Sequence, residues 1–469
     1  MGIRRDRTGN PSTLLRIRLA RNSLDFRQMR WLADAIYLVV LIVLSPVLLP
    51  RMAWRGKLRT DWAGRFGHVP PIKKTRTRIL LHAVSVGEVN AIRTLVDVLE
   101  QRGLDIVVSV TTDTGIARAE SLFGDRHQVV RYPYDFSWVV SRFLRRIEPD
   151  VIALVELEIW PNMVATCQRR RIPVCVINGR LSHRSFRRYR LVRWMVRPSF
   201  GRLAVSGVQS EAYAEHFRAL GASPVLVTDS MKWDNAMTEE VVPGATELAE
   251  ELGIDQDIPL VVAGSTGPNE PALLHQAVPS DVQLLCAPRR PEWFDAAARA
   301  MPGCIRRTVV TEKRLSEKSK ATRRFLLDTI GELRQAYALA DIVVVGRSFG
   351  NLFGSDVTEP IGLGKPTIVG PAVSDFTEMV MVLVKGGGLI QIPASELAVQ
   401  IKKMLDNPAY ATEIGKRGRA VIRSRQGAAL RHARLLQALV NGCDLHKMST
   451  KEVAALIQDE SDDGEERAM

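Results

Sequence analysis

Cysteine is scarce in this sequence. The 469 residues include five cysteines without the close spacing of metal ligands, at Cys167, Cys175, Cys286, Cys304 and Cys443. A small, odd and dispersed set argues against a disulfide framework and against a zinc site. We therefore expect the folded part of the chain to lie in a reducing, cytosolic environment.

Acidic residues are outnumbered by basic ones. The chain has 65 Lys and Arg residues against 51 Asp and Glu, which gives a formal net charge of +14 at pH 7. Such a surface field attracts anions, including phosphates and acidic lipids. The basic residues are not clearly interleaved with aromatic residues on which bases could stack, so we predict no nucleic-acid partner. At ~100–200 residues per domain, the length predicts two or three domains.

Charge is almost absent from Trp31–Pro50, an apolar segment in which Asp34 is the only charged residue. Its length is about the ~20 residues that a helix needs to cross a hydrocarbon core. Basic residues flank it on both sides and no small-residue cleavage site follows, which argues against a cleaved signal peptide. We predict a membrane-anchor helix at 31–50 after a basic segment at 1–30. A helix lying in the membrane interface and a buried core helix are the alternatives.

After this segment, apolar runs of strand length alternate with helical patterns, which is typical of βαβ units and a mostly parallel sheet. In the first half, strands are predicted near Ile79–Val84, Ile106–Val110, Val151–Val155, Val174–Asn178, Leu203–Val208 and Val225–Val227. In the second half, they are predicted near Leu260–Gly264, Leu284–Ala287, Ile342–Val345, Thr367–Val369 and Leu389–Ile392. The pattern favours an α/β fold with two Rossmann-like domains. Because ligands of open parallel sheets sit beyond the carboxyl ends of the strands, two such domains facing each other would form an interdomain cleft.

Composition sets the predicted domain boundaries. We expect an N-terminal domain at 51–234, a polar, acidic linker at 235–253 and a C-terminal domain at 254–445. The tail at 446–469 ends in an acidic stretch with almost no apolar residues, and we predict that it is disordered.

A carboxylate follows the first predicted strand at a turn. Gly87 permits a tight turn, and a helical pattern begins around Glu88. The dipole and the free N–H groups near a helix N-terminus keep a carboxylate ionised, which suits a base that accepts a proton from a sugar hydroxyl. The alternative is a first-turn glutamate that only stabilises its helix.

Other charged residues follow further strands of the first half. Glu156 and Glu158 share one face if their strand continues through them, but they point differently if the chain turns. The basic segment 178–190 is either a solvated helix face or a binding site for a phosphorylated acceptor. In the second case, the candidate acceptor-binding residues are Arg180, Ser182 and Arg184.

Polar loops also follow strands in the second half. The Ala263–Gly267 loop offers backbone N–H groups to an anion, and the forked guanidinium of Arg289 suits a phosphate or a sugar carboxylate. Glu359, which precedes a proline near a predicted helix start, is placed to accept hydrogen bonds from ribose hydroxyls. Short motifs match by chance, so their order along the chain carries more weight than any single one.

Taken in order, these motifs resemble those of the 3-deoxy-D-manno-octulosonic acid (Kdo) transferases, and the resemblance is collinear from Asp61 to Gly427. The motifs are HAVSVGE, YPYD, VELEIWPN, NGRLSHRS, VTDSMKWD, AGST, PRRPE, DTIGEL, ADIVVVGRS and EPIGLGKPTIVGP. The resemblance implies a GT-B fold, a CMP-Kdo donor, a lipid A precursor as acceptor, inversion at the Kdo anomeric carbon, and no metal or other cofactor. It also implies that the catalytic domains lie at the cytoplasmic side of an inner (plasma) membrane.

The resemblance assigns roles to particular residues. Glu88 corresponds to the family's catalytic base, and Glu156 and Lys232 correspond to its transition-state stabilisers. A lysine suits this role because charge that develops on the departing phosphate or on the acceptor must be neutralised. The implied donor-binding residues are Pro288, Arg289, Ile330, Gly331, Glu332, Asp356, Val357, Thr358 and Glu359.

The sequence departs from the family pattern at several positions. The family's GGHNPLEP is FGSDVTEP here, so Asp356 stands where an asparagine usually lies, and its charge beside a phosphate is unfavourable unless it turns away. Gly267 and Arg290 replace histidines, and Asp229 with Ser230 replaces a Gly-Asn pair. These changes leave two alternatives: a related GT-B enzyme with another nucleotide-sugar donor, and an inactive membrane-bound protein that binds lipids or anions.

Overall fold

The computed structural model describes residues 60–238, 241–309 and 322–458 continuously, together with isolated positions between 34 and 54. The chain forms two compact units. The first unit comprises Met1–Lys232 and Gly427–Met469, and the second comprises Trp233–Gln426. Each unit contains its own parallel sheet, as the alternating pattern predicts.

The first unit is built on a seven-stranded sheet in the order β3-β2-β1-β4-β5-β6-β7. Its strands are β1 Arg78–Ala83, β2 Asp105–Val110, β3 Gln128–Arg131, β4 Val151–Val155, β5 Val174–Gly179, β6 Val205–Val208 and β7 Val225–Val227. β1, β4 and β5 are buried along their whole length, which agrees with their continuous apolar runs. The short edge strand β3 was missed because its four residues begin with an exposed glutamine.

Helices cover both faces of this sheet. Their bounds are α1 Trp62–Arg65, α2 Val86–Ala91, α3 Arg93–Gln101, α4 Asp113–Phe123, α5 Ser137–Ile147, α6 Pro161–Arg170, α7 His183–Leu191, α8 Arg193–Phe200 and α9 Glu211–Leu220. Successive strand residues point to opposite faces, so Leu81 joins one apolar cluster with Leu95, while Leu80 joins the other with Phe143.

The second unit has a seven-stranded parallel sheet in the order β10-β11-β9-β8-β12-β13-β14. Its strands are β8 Leu260–Thr266, β9 Gln283–Pro288, β10 Ile305–Arg306, β11 Arg324–Leu326, β12 Ile342–Val345, β13 Thr367–Val369 and β14 Ile390–Gln391. Its helices are α10 Ala245–Leu252, α11 Glu270–Ala277, α12 Phe294–Ala300, α13 Leu333–Leu339, α14 Thr358–Gly362, α15 Thr377–Lys385, α16 Leu397–Asp406 and α17 Pro408–Arg425. β10 and β11 were missed because runs of two and three residues carry too little alternation to read.

The structure corrects the predicted domain boundaries. α10 lies within the predicted linker 235–253, yet its buried Leu248 and Leu252 belong to the core of the second unit. After Gln426 the chain returns to the first unit, where α18, Ala428–Val440, buries Leu436 in the cluster that β1 and β4 also line. The predicted second domain, 254–445, therefore begins too late and ends too late.

Part of the predicted disordered tail is helical. α19, Thr450–Gln458, buries Val453 and Ile457 against the core of the first unit. These two apolar residues lie four apart and form one face of a helix, a spacing that the acidic composition of the segment masked. Residues 459–469 lie outside the described residues.

The predicted anchor segment 31–50 and the basic segment 1–30 lie largely outside the described residues, and the positions described within 31–50 are helical. Across the described part of the chain, no helix combines the length and hydropathy that crossing a membrane requires. Asp34 contacts the first unit, since its Oδ1 accepts hydrogen bonds from the Ser137 backbone N–H at 3.0 Å and from Asn162 Nδ2 at 2.8 Å. Tyr37 donates its hydroxyl to Asp135 Oδ2 at 3.0 Å. The one charge of this apolar segment therefore has partners in the protein.

Candidate active site

Unusual backbone conformations mark the carboxyl ends of several strands. Positive φ angles occur at Glu156 (60°), Asn178 (52°), Asp229 (61°), Ser265 (53°) and Arg347 (59°). These residues end, or closely follow, β4, β5, β7, β8 and β12. A residue other than glycine in this region costs of order 1–3 kcal/mol, persists only where its surroundings fix it, and is enriched at functional sites. The carboxyl edges of both sheets are therefore the places to look for function.

The order of the strands in each sheet indicates where along its carboxyl edge a ligand would bind. In each sheet the chain places its earlier strands on one side of one boundary and its later strands on the other, between β1 and β4 in the first unit and between β8 and β12 in the second. Open parallel sheets bind ligands beyond the carboxyl ends of the strands at this switch point. Glu88 and Glu156 flank it in the first unit, and Ser265 and Arg347 flank it in the second.

Glu88 lies in the first turn of α2, next to the first switch point. Its carboxylate accepts hydrogen bonds from the Val84 backbone N–H at 2.8 Å and from the Ser85 hydroxyl at 3.0 Å. Ser85 in turn caps the helix by accepting from the Glu88 backbone N–H, as in a capping box. Both interpretations of this residue thus have a structural basis, because the same carboxylate holds the turn.

The surroundings of Glu88 also change its acidity. Burial, together with the nearby carboxylates of Glu156 and Glu158, raises its pKa to about 7, although the hydrogen bonds from Val84 and Ser85 lower it. A general base is most effective when its pKa lies near the working pH. The raised pKa is compatible with the catalytic interpretation of Glu88, which stays a prediction.

The two carboxylates after β4 do not continue the strand. β4 ends at Val155, and Glu156 turns the chain while its backbone N–H donates to Ile177 O at 3.0 Å. Glu158 accepts a hydrogen bond from Trp160 Nε1 at 2.9 Å, and burial raises the pKa of its carboxyl. Of the two alternatives for this segment, the turn is correct.

Lys232 is the last residue of the first of the two stretches of chain that form the first unit. Buried polar groups hold the segment in which it lies. Asn178 Oδ1 accepts a hydrogen bond from the Met231 backbone N–H at 3.0 Å, and the Asn178 backbone N–H donates to His432 Nε2 at 3.0 Å. Asp229, in the same segment, pairs with Arg431 at 3.4 Å. Sequence reasoning missed Asn178 and His432 as supports of Lys232, because His432 lies on α18, far along the chain.

The basic segment after β5 forms α7. Ser182 is the N-cap residue of this helix, and its hydroxyl accepts from the Ser185 backbone N–H at 3.3 Å. Arg184 is exposed, Arg180 is half-buried, and α7 buries no side chain at all. Ser182 therefore caps the helix. Acceptor binding by Arg180, Ser182 and Arg184 stays a prediction.

Three of the predicted donor-binding residues lie around one buried tyrosine in the second unit. Burial and the nearby carboxylates of Glu359 and Asp356 raise the pKa of the Tyr337 hydroxyl, whereas the guanidinium of Arg289 lowers it. The Tyr337 ring packs so closely on Gly264 that any side chain there would overlap it. Tyr337 was missed from the sequence because nothing in its local pattern distinguishes it from a core aromatic residue.

The segment around Asp356 begins α14. Asp356 Oδ1 accepts hydrogen bonds from the Thr358 backbone N–H at 2.8 Å and from the Thr358 hydroxyl at 2.7 Å, so this carboxylate is turned towards the helix start. Val357 and Thr358 are buried, and their donor-binding role stays a prediction. Burial and Asp356 raise the pKa of the half-buried Glu359 carboxyl, and Arg334 lowers it.

The remaining donor-binding predictions occupy two turns. Pro288 is buried at the end of β9, and the next residue, Arg289, donates its backbone N–H to Thr266 O at 3.0 Å. Gly331 has a φ of 103°, which a residue with a side chain rarely adopts, and Ile330 beside it is exposed. Glu332 accepts hydrogen bonds from Arg307 Nε at 3.2 Å and Nη2 at 3.1 Å, so its carboxylate is engaged within the unit.

Comparison with known proteins shows which proteins this chain resembles. Residues 60–235 match the family described as 3-Deoxy-D-manno-octulosonic-acid transferase (kdotransferase). The 3-deoxy-D-manno-octulosonic acid transferase of Bordetella pertussis is 29% identical over 368 residues, which cover 75% of this chain and 85% of the relative. The transferase of the same name from Haemophilus influenzae is 27% identical over 427 residues, which cover 86% of this chain and 97% of the relative. The chain therefore resembles the Kdo transferases in residues 60–235 and, at 27–29% identity, over most of its length.

A solved structure supports the fold class. The crystal structure of MurG from Acinetobacter baumannii is similar with a TM-score of 0.50 at 16% identity, over 77% of this chain and 99% of that chain. At this identity the likeness concerns the fold alone. The two seven-stranded parallel sheets agree with the GT-B fold that the sequence resemblance implies.

The acidity of Glu88 predicts the pH dependence of the reaction if this residue is the base. A raised pKa means that the carboxyl is still protonated below neutral pH, so kcat/KM for sugar transfer should rise as the pH passes through about 7. Glu158→Gln removes a negative charge that raises this pKa, and the acid limb of the profile should move to lower pH. The exposed Glu120→Gln is the matched control and should leave the limb in place. If Glu158→Gln leaves the acid limb at the same pH, the limb does not report the ionisation of Glu88.

Proposed function

We propose that this chain transfers Kdo from CMP-Kdo to a phosphorylated lipid A precursor and releases CMP, a step in the synthesis of the lipopolysaccharide core. The observation that carries the proposal is the similarity, over most of the chain, to proteins named 3-deoxy-D-manno-octulosonic acid transferase. The environment of Glu88 supports it independently, because a carboxyl with a pKa of about 7 at a switch point suits a base for a sugar hydroxyl.

In the proposed reaction, ionised Glu88 takes the proton of an acceptor hydroxyl while that oxygen attacks the anomeric carbon of Kdo. The bond from this carbon to the phosphate oxygen breaks, CMP leaves with the bonding electrons, and the configuration at the anomeric carbon inverts. Glu156 and Lys232 stabilise the charges that develop during transfer. No metal ion or other cofactor takes part in the proposed step.

Donor binding is assigned to the second unit. Arg289 pairs with an anionic group of CMP-Kdo, Glu359 accepts hydrogen bonds from the ribose hydroxyls, and the backbone N–H groups of Ile330 and Gly331 face the nucleotide. Asp356 is compatible with this role because its carboxylate already accepts two hydrogen bonds from Thr358. The repulsion expected from the Asn-to-Asp departure is thereby reduced.

Acceptor binding and membrane contact are assigned to the first unit. α7 carries basic residues and ends at Leu191 (82% exposed), and α8 exposes Trp194 (74% exposed). Apolar side chains beside arginines suit the boundary between lipid headgroups and acyl chains. We therefore propose that the protein works at the cytoplasmic side of the inner membrane, with 31–50 as an anchor and with Arg180 and Arg184 at the acceptor phosphates.

A defined reaction tests the proposed function. Purified protein incubated with CMP-Kdo and a tetra-acylated lipid A precursor should release CMP and yield a product heavier by Kdo, which mass spectrometry detects together with the number of residues added. Absence of both CMP release and product would contradict the proposal. A UDP- or GDP-sugar that outcompetes CMP-Kdo would indicate the alternative GT-B enzyme with another donor.

Glu88→Gln tests the base and the alternative of an inactive binding protein. The amide keeps the shape and can still cap α2, but it cannot accept the proton, so turnover should fall by ~10²–10⁴ while CMP-Kdo affinity stays unchanged. Glu120→Gln, on α4 of the same unit, should retain full turnover. Unchanged turnover in Glu88→Gln would remove this residue from the mechanism.

Vesicle binding tests the membrane contact. We expect the full chain to sediment with vesicles that contain anionic phosphatidylglycerol, and a variant that starts at Arg51 to lose most of this binding. Residual binding should disappear when Leu191→Ser and Trp194→Ser are added, because together they remove exposed apolar surface worth several kcal/mol when buried. Val399→Ser, at a 71% exposed position of the second unit, is the matched control. A variant starting at Arg51 that stays fully bound would show that 31–50 is not the main anchor.

A further inference from the structure

One buried carboxylate connects the two loops at the switch point of the second unit. Glu270, in the first turn of α11, is 6% exposed. Its carboxylate accepts hydrogen bonds from backbone N–H groups of the loops after β8 and β12, those of Gly267 at 2.6 Å, Arg347 at 2.7 Å, Ser348 at 2.9 Å and Phe349 at 3.0 Å. Hydrogen bonds to a charged acceptor are roughly twice as strong as neutral ones, so Glu270 fixes both loops.

Both loops need this support. Ser265 and Arg347 adopt left-handed backbone conformations, with φ of 53° and 59°. The loops also approach closely, since a Cβ on Gly346 would lie 2.5 Å from Thr266 Cα and 2.6 Å from Glu270 Oε2. Glu270 bonds to Arg347 itself and to Gly267, two residues after Ser265, and these hydrogen bonds help to hold both strained conformations.

Arg347 is the residue whose identity the fold does not explain. A glycine would adopt its φ without strain, whereas an arginine there carries a penalty of order 1 kcal/mol or more. Such strain is retained where the side chain has a function. The half-buried Arg347 therefore points to a role for its guanidinium rather than for its backbone.

The position of Arg347 indicates what that role is. Its backbone C=O accepts a hydrogen bond from the Gly354 N–H at 3.0 Å, which closes the loop that leads directly into Asp356 and Glu359. Arg347 thus stands at the base of the loop that carries predicted donor-binding residues, beside the switch point where such sheets bind ligands. A guanidinium presents forked donors that match the oxygens of a phosphate or a carboxylate.

We propose that Arg347 binds an oxyanion of the sugar donor and that Glu270 positions it. The inference rests on the proposed function, because the donor CMP-Kdo offers two such groups, the phosphate of CMP and the carboxylate of Kdo. Glu270 is a positioning residue, since it acts through the backbone of Arg347.

Ligand affinities of the full chain test the role of Arg347. Calorimetry with CMP-Kdo, CMP and cytidine should show that Arg347→Gln weakens CMP-Kdo binding roughly 10- to 100-fold, as expected when a charged hydrogen-bond donor is lost. Weaker CMP binding as well assigns the phosphate, unchanged CMP binding assigns the carboxylate, and cytidine affinity should not change in either case. Arg299→Gln, at an exposed position on α12 of the same unit, should leave all three affinities unchanged.

Arg347→Gly separates a binding role from a structural one. Because glycine relieves the positive φ, this variant should keep or raise the Tm of the chain while it loses CMP-Kdo affinity to the same extent as Arg347→Gln. The KM for the donor should rise, and the KM for the acceptor should not. Arg347→Lys should recover part of the affinity through its charge. Full CMP-Kdo affinity in Arg347→Gly would overturn the proposal.

A double-mutant cycle tests the positioning by Glu270. Glu270→Gln should weaken CMP-Kdo binding in the otherwise unchanged chain but have much less effect when Arg347 is already glycine, because its influence passes through Arg347. Equal effects in both backgrounds would contradict the positioning role. If the unchanged chain binds neither CMP-Kdo nor CMP, the proposed donor is wrong, and the same variants compared on whichever nucleotide-sugar does bind decide the role of Arg347 separately.

Discussion

Hydrogen bonds that backbone N–H groups donate to buried polar side chains hold the turns at the carboxyl ends of the strands, and the predicted functional positions of both units depend on them. Asn178 holds the segment before Lys232 in the first unit, and Glu270 holds the loops around Arg347 in the second. Several of these turns contain residues with positive φ, so the turns would relax if their hydrogen bonds were lost. The parallel sheets supply a rigid frame, and the polar network determines where each strand end points.

Glu88 likewise combines two properties in one side chain. Its carboxylate caps α2, and its pKa is suited to proton transfer. Hydrogen bonds from Val84 and Ser85 favour its charged form, while burial and the neighbouring Glu156 and Glu158 oppose it. The balance places the pKa at about 7 instead of its ordinary 4.5. A general base needs this compromise, because a fully stabilised carboxylate would be too weak to accept a proton from a hydroxyl.

The long buried strands could be predicted from the sequence because their apolar runs are continuous, as in β1, β4 and β12. The short strands β3, β10 and β11 could not, and α18 was placed in the wrong unit because its apolar face does not say which sheet it covers. The order of the motifs indicated the resemblance to Kdo transferases. It also indicated Glu88, Glu156 and Lys232 as candidate catalytic residues. The residues that support the site were missed, among them His432, Tyr337 and Glu270, since their roles arise from contacts between segments that are distant along the chain.

In the proposed reaction, the fold makes Glu88 a base for a sugar hydroxyl. The most direct test of this role is a carboxyl-carbon NMR titration of the full chain with ¹³C-labelled glutamate, in which the Glu88 resonance is identified by its absence from Glu88→Gln. We expect a titration midpoint near 7 for Glu88, well above that of an exposed glutamate. A midpoint near the ordinary value of 4.5 would contradict it, because Glu88 would then be only the cap of its helix.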